Sequence, residues 1–143
     1  MTPPDHPLHD FCLAFESKNL EKIAALFDPG GLCEFPLFGQ RLMGHGEIRE
    51  GFMRAFSVID SSSITFQTCK SGPNATIAEG RLEAKLYRDC HSMTAPLAMV
   101  MVKEAGRIAR LSCYLDARPF RLWCDGPVFD TSPGAAIGDV DVD

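Results

Sequence analysis

The sequence predicts one α+β domain, with helices first and an antiparallel sheet after them. Three observations predict it. Apolar residues up to about position 59 recur at helical spacing, whereas 63–116 reads as extended runs with short turn-rich separators. A chain of 143 residues, 45% of them hydrophobic, can also bury a core without metal or disulfide staples.

Leu8, Phe11, Cys12 and Phe15 follow the i, i+3, i+4, i+7 rhythm of an amphipathic helix, with Asp5 as N-cap and Pro7 in the first turn. After the break at Ser17-Lys18-Asn19 a second stripe follows: Leu20, Ile23, Ala24, Leu26 and Phe27. Asp28-Pro29-Gly30-Gly31 stops it with three breakers in four residues. Residues 32–37 form a short strand bounded by Pro36 and Gly39. A third helix starts near 45–47, with Ile48, Phe52, Ala55, Phe56 and Ile59 on one face and Glu47, Arg49, Glu50 and Arg54 outside.

The ranges 63–69, 76–88, 93–103 and 107–116 all read as strands. Their separators, 71–74, 89–92 and 104–106, are short and turn-rich, so consecutive strands form an antiparallel meander. Pro96 marks a bulge, a bend or an edge position. Residues 93–102 are apolar on both parities, which requires cover on both sheet faces. The helices supply one cover; a partner subunit or the C-terminal segment supplies the other, and a homodimer through the outer sheet face is expected. The domain should span 1–124, with 125–143 a flexible acidic tail. Carboxylates at 139, 141 and 143 lack the Gly and closing Glu of a calcium loop.

Composition narrows function by exclusion. A formal charge of −5 argues against a nucleic-acid surface. No apolar run reaches the roughly 20 residues of a membrane helix. The first residues lack the basic-then-apolar layout of a signal peptide, so a cytoplasmic location is expected. Cysteines at 12, 33, 69, 90, 113 and 124 form no CxxC pair and have no His at ligand spacing; buried reduced thiols are expected, with no metal and no cofactor. His6, His9, His45 and His91 lack an evident partner for acid–base or metal chemistry.

The order of elements resembles the cone-shaped fold of nuclear transport factor 2, steroid delta-isomerase and SnoaL-like polyketide cyclases. Residues 19–27 look like the family's second helix, and Glu34-Phe35-Pro36, Gly44 and 48–52 like its strand-loop-helix passage. Residues 105–111 with Tyr114-Leu115-Asp116 resemble its final hairpin and Tyr-x-Asp ending. The resemblance covers about 8–117 and implies three N-terminal helices packed on a curved, mostly antiparallel sheet around a pocket. Fold alone does not give function.

By that resemblance, the delta-isomerase Tyr falls on Phe11, the Asp base on Phe35 and the protonated Asp on Ala98; none can move a proton. Limonene-epoxide hydrolases use an Arg-x-Asp pair, matched here by Arg81-Leu82-Glu83, and a last-strand Asp, replaced here by Cys113. Arg81 and Glu83 share a strand face. The family alignment turns them inward, whereas hydrophobic alternation puts Ala78, Leu82, Ala84 and Leu86 in the core and turns them out. Glu34 is a candidate base if buried, although alternation sets it opposite Cys33 and Phe35. Asp116, sharing parity with Tyr114, is either a pocket group or a strand-end carboxylate. Phe11, Phe15, Phe35, Met53, Phe56, Ala98, Cys113 and Tyr114 are the expected ligand-binding set. The expected ligand is an apolar metabolite (a polyketide, terpenoid or aromatic), bound or transformed without a cofactor. The alternative is a non-catalytic binding or dimerisation module.

Overall fold

A computed structural model describes residues 7–87 and 92–116. Helix α1 spans Pro7–Glu16 and turns Leu8, Phe11, Cys12, Ala14 and Phe15 into the core. Asp5, the expected cap, lies outside the described residues. Helix α2 spans Leu20–Leu26, and the Asn19 side chain caps it by accepting the Lys22 N–H at 3.0 Å. Between these helices Lys18 takes a left-handed φ of 56°. Its ammonium donates to the Tyr87 hydroxyl at 2.9 Å and lies 4.8 Å from the ring centroid, tying the turn to the sheet.

Strand β1, Phe27–Phe35, starts earlier than predicted and takes in the Asp28-Pro29-Gly30-Gly31 breakers. A register shift between Phe27 and Leu32 in its pairing with the last strand absorbs them. A 3₁₀ turn, Pro36–Phe38, leads to β2, Gln40–Met43. That strand is an addition to the expected order, since four residues are too few for alternation to register. Helix α3, Gly44–Phe56, follows. Glu47 accepts the Met43 N–H at 2.8 Å, and His45 Nε2 donates to the Phe27 carbonyl at 2.9 Å. Two orphan ends are thereby satisfied where helix meets strand.

The meander is as predicted in kind, with the first strand nearly twice as long as expected and the others within two residues: β3 Ile59–Ser71, β4 Ala75–Leu86, β5 Ser92–Glu104 and β6 Arg107–Leu115. The sheet order is β2-β1-β6-β5-β4-β3, with β1 parallel to β6 and every other pairing antiparallel. Two irregularities between β3 and β4 bend the sheet. Beside one of them Gly80 is obligatory, because a Cβ there would collide with the Thr65 carbonyl. Pro96 sits where the β5–β6 ladder has ended at Leu97 opposite Leu115, so it is locally at an edge.

Alternation divides each strand. Along β5, Met93, Ala95, Leu97, Met99 and Met101 are buried, and Ala98, Val100 and Val102 are half-buried on the outer face. The three helices close the inner face. The edge strands are β2 and β3, and along β3 the Ile64 N–H donates to the Glu16 carboxylate of α1 at 2.8 Å rather than to a neighbouring strand.

Candidate functional site

Between the helices and the inner sheet face lies a cavity of about 30 Å³, room for about one water. Phe11 and Phe15 reach it from α1, Phe35 from β1 and Phe52 from α3. The sheet contributes Ile64, Leu82, Leu97, Met99, Cys113 and Leu115. Phe52 is the hub of the aromatic wall, with ring centroids 5.9 Å from Phe11, 6.1 Å from Phe15, 6.2 Å from Phe35 and 6.2 Å from Phe56. Edge-to-face and tilted contacts of this kind add to simple burial. Phe56 supports the wall through Phe15, at 5.2 Å, without lining the cavity.

Among the described residues, carbon and sulfur supply the whole lining. Cys113 carries its one ionisable group, and its neighbour Cys33 is fully buried on β1. Burial first, then a thiol–thiol hydrogen bond with Cys113, holds the Cys33 thiol well above its ordinary range. Burial, reinforced by the Glu16 carboxylate, pushes Cys12 up to about 12. Both thiols are therefore neutral at physiological pH, and they behave as small hydrophobes, as the sequence suggested. No group of His, Cys, Asp and Glu that could hold a metal is present among the described residues.

The polar candidates fall elsewhere. Arg81 and Glu83 pair with each other, Nε to Oε2 at 3.3 Å, on the outer face, while Ala78, Leu82, Ala84 and Leu86 fill the core. The alternation reading of this strand holds and the alignment is off by one residue. Turning Arg81 and Glu83 inward would desolvate two charges and expose three or four apolar side chains. Glu34 also faces outward, half-buried. Ser112 Oγ donates to its Oε2 at 2.7 Å, Arg110 Nη1 donates to Ser112 Oγ at 2.8 Å, and Arg110 and Arg41 stand 3.5 and 4.0 Å from the carboxylate. This network ties β1 to β6 across their parallel seam, on the far side of the sheet from the cavity. Asp116 lies just past β6, half-buried, and does not line the cavity.

Among the expected ligand contacts, Phe11, Phe15, Phe35 and Cys113 line the cavity, and Phe56, Met53, Ala98 and Tyr114 do not. Met53 is 53% exposed, on the opposite face of α3 from Phe52 and Phe56. Tyr114 is 39% exposed on the outer sheet face, and Ala98 is opposite it in register. The residues facing inward there are Leu97, Met99 and Leu115, again because a strand shows only alternate side chains to one face.

The SnoaL-like domain model matches residues 8–111, from α1 into β6. The chain belongs to the SnoaL-like domain family. No curated protein matches this SnoaL-like chain in sequence. Solved structures share its fold at low identity. A protein with a ketosteroid isomerase-like fold from Catenulispora acidiphila, in complex with trimethylamine, is 15% identical with a TM-score of 0.76, covering 92% of this chain and 100% of that one. A SnoaL-like polyketide cyclase structure from Shewanella denitrificans is 6% identical (TM-score 0.73; 82% and 93% covered). An epoxide hydrolase of limonene-epoxide hydrolase type from M. tuberculosis is 14% identical (0.65; 77% and 80%). At these identities the likeness establishes the cone-shaped α+β architecture.

Phe52, Ile64, Leu82, Leu97, Met99 and Leu115 complete the SnoaL-like cavity and were not among the expected contacts. Strict alternation through β4, β5 and β6, anchored on the apolar parity of β4, is the signal that finds Leu82, Leu97, Met99 and Leu115.

Proposed function

We propose that this SnoaL-like chain is a non-catalytic binding module that takes a compact apolar molecule into its cone. The carbon and sulfur lining that the described residues give the cavity carries this reading. Acid–base work needs a titratable group within reach of the ligand, and Arg81, Glu83 and Glu34 lie across the sheet from it. At about 30 Å³ the cavity as it stands is smaller than any such molecule. A ligand therefore enters by displacing aromatic rings, and the molecules that fit are small and soft, for which sulfur atoms and ring faces are good neighbours. Trimethylamine in the Catenulispora structure is of that scale. Titration of the full chain with benzene or indole, followed through the Met99 methyl resonance, tests the reading. A saturable shift at Met99 supports it, and an unmoved Met99 at the solubility limit refutes it. Turnover of an apolar substrate that survives in an Arg81→Ala, Glu83→Gln, Glu34→Gln variant would show that catalysis uses none of these groups; its loss in that variant would restore them to an active site.

A second feature favours self-association. The outer sheet face carries Ile77, 57% exposed, directly opposite Val100, with Val102, Ala98 and Tyr114 adjoining in register. An apolar patch at the centre of a sheet calls for cover, and the occupant proposed is a second copy of this chain. Light scattering at micromolar concentration should give a dimer mass, and Ile77→Asp should halve it. A monomeric wild type overturns the proposal.

A further inference from the structure

On the outer face, away from that apolar patch, β3, β4 and β5 enclose a crevice of about 450 Å³, within the size range of small-molecule sites. Its side chains form a grid set by strand register: Ser61 beside Lys85 beside Ser92, and Ser63 beside Glu83 beside Thr94. Ser62, Ala84 and Met93 complete the lining; the Ala84 and Met93 side chains are buried, so these two contribute mainly backbone. Strands are spaced by about 4.8 Å and the two rows by roughly 7 Å, so the six side chains converge on an area the size of one sugar ring. Thr94 lies six residues along β5 from Val100, about 20 Å away.

The chemistry of this grid is unlike that of the cone. Four hydroxyls can each donate and accept, one carboxylate accepts and one ammonium donates. Glu83 is already oriented, with Arg81 Nε at 3.3 Å from one oxygen and Ser63 Oγ at 3.5 Å from the other, leaving lone pairs directed at the crevice. Glu83 and Lys85 are adjacent charges of opposite sign, and among the described residues no aromatic or large aliphatic side chain other than Met93 borders the space. A phosphate would want clustered cations and an apolar ligand would want carbon. A molecule bearing several hydroxyls wants alternating donors and acceptors at this spacing, with a carboxylate able to accept from two neighbouring hydroxyls.

We infer that this crevice binds a small, uncharged, polyhydroxylated molecule, a monosaccharide or a sugar alcohol, independently of whatever occupies the cone. The site is open and lacks a stacking platform, so the dissociation constant falls on the order of 1 mM. Backbone-amide NMR titration of the full chain with glucose and with sorbitol tests it. Saturable shifts confined to residues 61–63, 83–85 and 92–94 are expected, weakened about tenfold in Glu83→Gln and in Lys85→Met. Both side chains are exposed, and an unchanged spectrum elsewhere confirms that the variants are folded. No saturable shift by about 100 mM, wild-type affinity retained in both variants, or tighter binding of glucose 6-phosphate than of glucose would overturn the inference. The Met99 methyl, which reports on the cone, stays still in this titration, so failure of one site is read separately from failure of the other.

Discussion

Replacing Phe52 with Ala is the sharpest test of how the cone is built. The ring is 2% exposed and touches four other aromatic rings. Its removal adds on the order of 100 Å³ to the void of about 30 Å³ already present. At about 24 cal/mol per Å³ the new cavity costs about 2.4 kcal/mol. The lost transfer energy of the ring adds roughly 2 kcal/mol more, giving a total of about 4 to 5 kcal/mol. Urea denaturation should show this as a lower midpoint at an unchanged slope, with Phe52→Leu falling well short of it. The enlarged void approaches the size at which an engineered apolar cavity holds benzene. Benzene at ten times its dissociation constant should then restore about 1.4 kcal/mol, and the wild type should gain less. A loss below about 2 kcal/mol, or a variant indifferent to benzene, would refute the claim that this ring fills the cone.

Gly80→Ala should destabilise by about 3 kcal/mol, because the colliding Thr65 carbonyl and the Phe66 Cα at 2.7 Å are backbone and cannot swing aside. Gly30→Ala, with nothing within 4 Å, is its control in the same thermal melt. Arg81→Ala should change stability by less than about 1 kcal/mol, since its partner Glu83 is in solvent; a loss of several kcal/mol by chemical denaturation would mean that the pair is buried after all. Stability should also fall as pH rises above 9. Cys12 stays protonated in the fold up to about 12, whereas in the unfolded chain it ionises near the ordinary thiol value of 9.0. The unfolded state then binds fewer protons, and each such thiol removes about 1.4 kcal/mol per pH unit in that window. Cys33 acts in the same direction, so Cys12→Ala should make the slope shallower without abolishing it.

The fold was legible because its elements are long and periodic. The α1 stripe at Leu8, Phe11, Cys12 and Phe15 runs about two helical periods, and the alternation in β4 about six two-residue periods. What escaped was short or out of pattern. β2 has four residues, and β1 accommodates a Pro and two Gly only because its pairing with β6 slips there. The site was harder, since a one-residue error in alignment exchanges the two faces of a strand. Arg81 and Glu83, Ala98, and Tyr114 were all drawn toward the pocket by family positions, and in each case the apolar neighbour one step along is the residue facing inward. The crevice left no trace in hydrophobic periodicity, because its six side chains are polar residues on a solvated face and only strand register brings them together.

The single hydrogen bond from Ile64 to Glu16 links two properties that are usually separate. Glu16 ends the helix that also carries Phe11 and Phe15, so one movement of α1 would both unroof the cone and uncover the backbone of the outermost strand. On the proposed binding role, admission of a guest would thus be tied to the hazard of strand-to-strand aggregation. A sequence evolving toward faster ligand exchange by loosening α1 would drift toward insolubility at the same time. One evolving toward a tighter latch would be left with less room inside, and a cavity of only about 30 Å³ places this chain near that end of the scale.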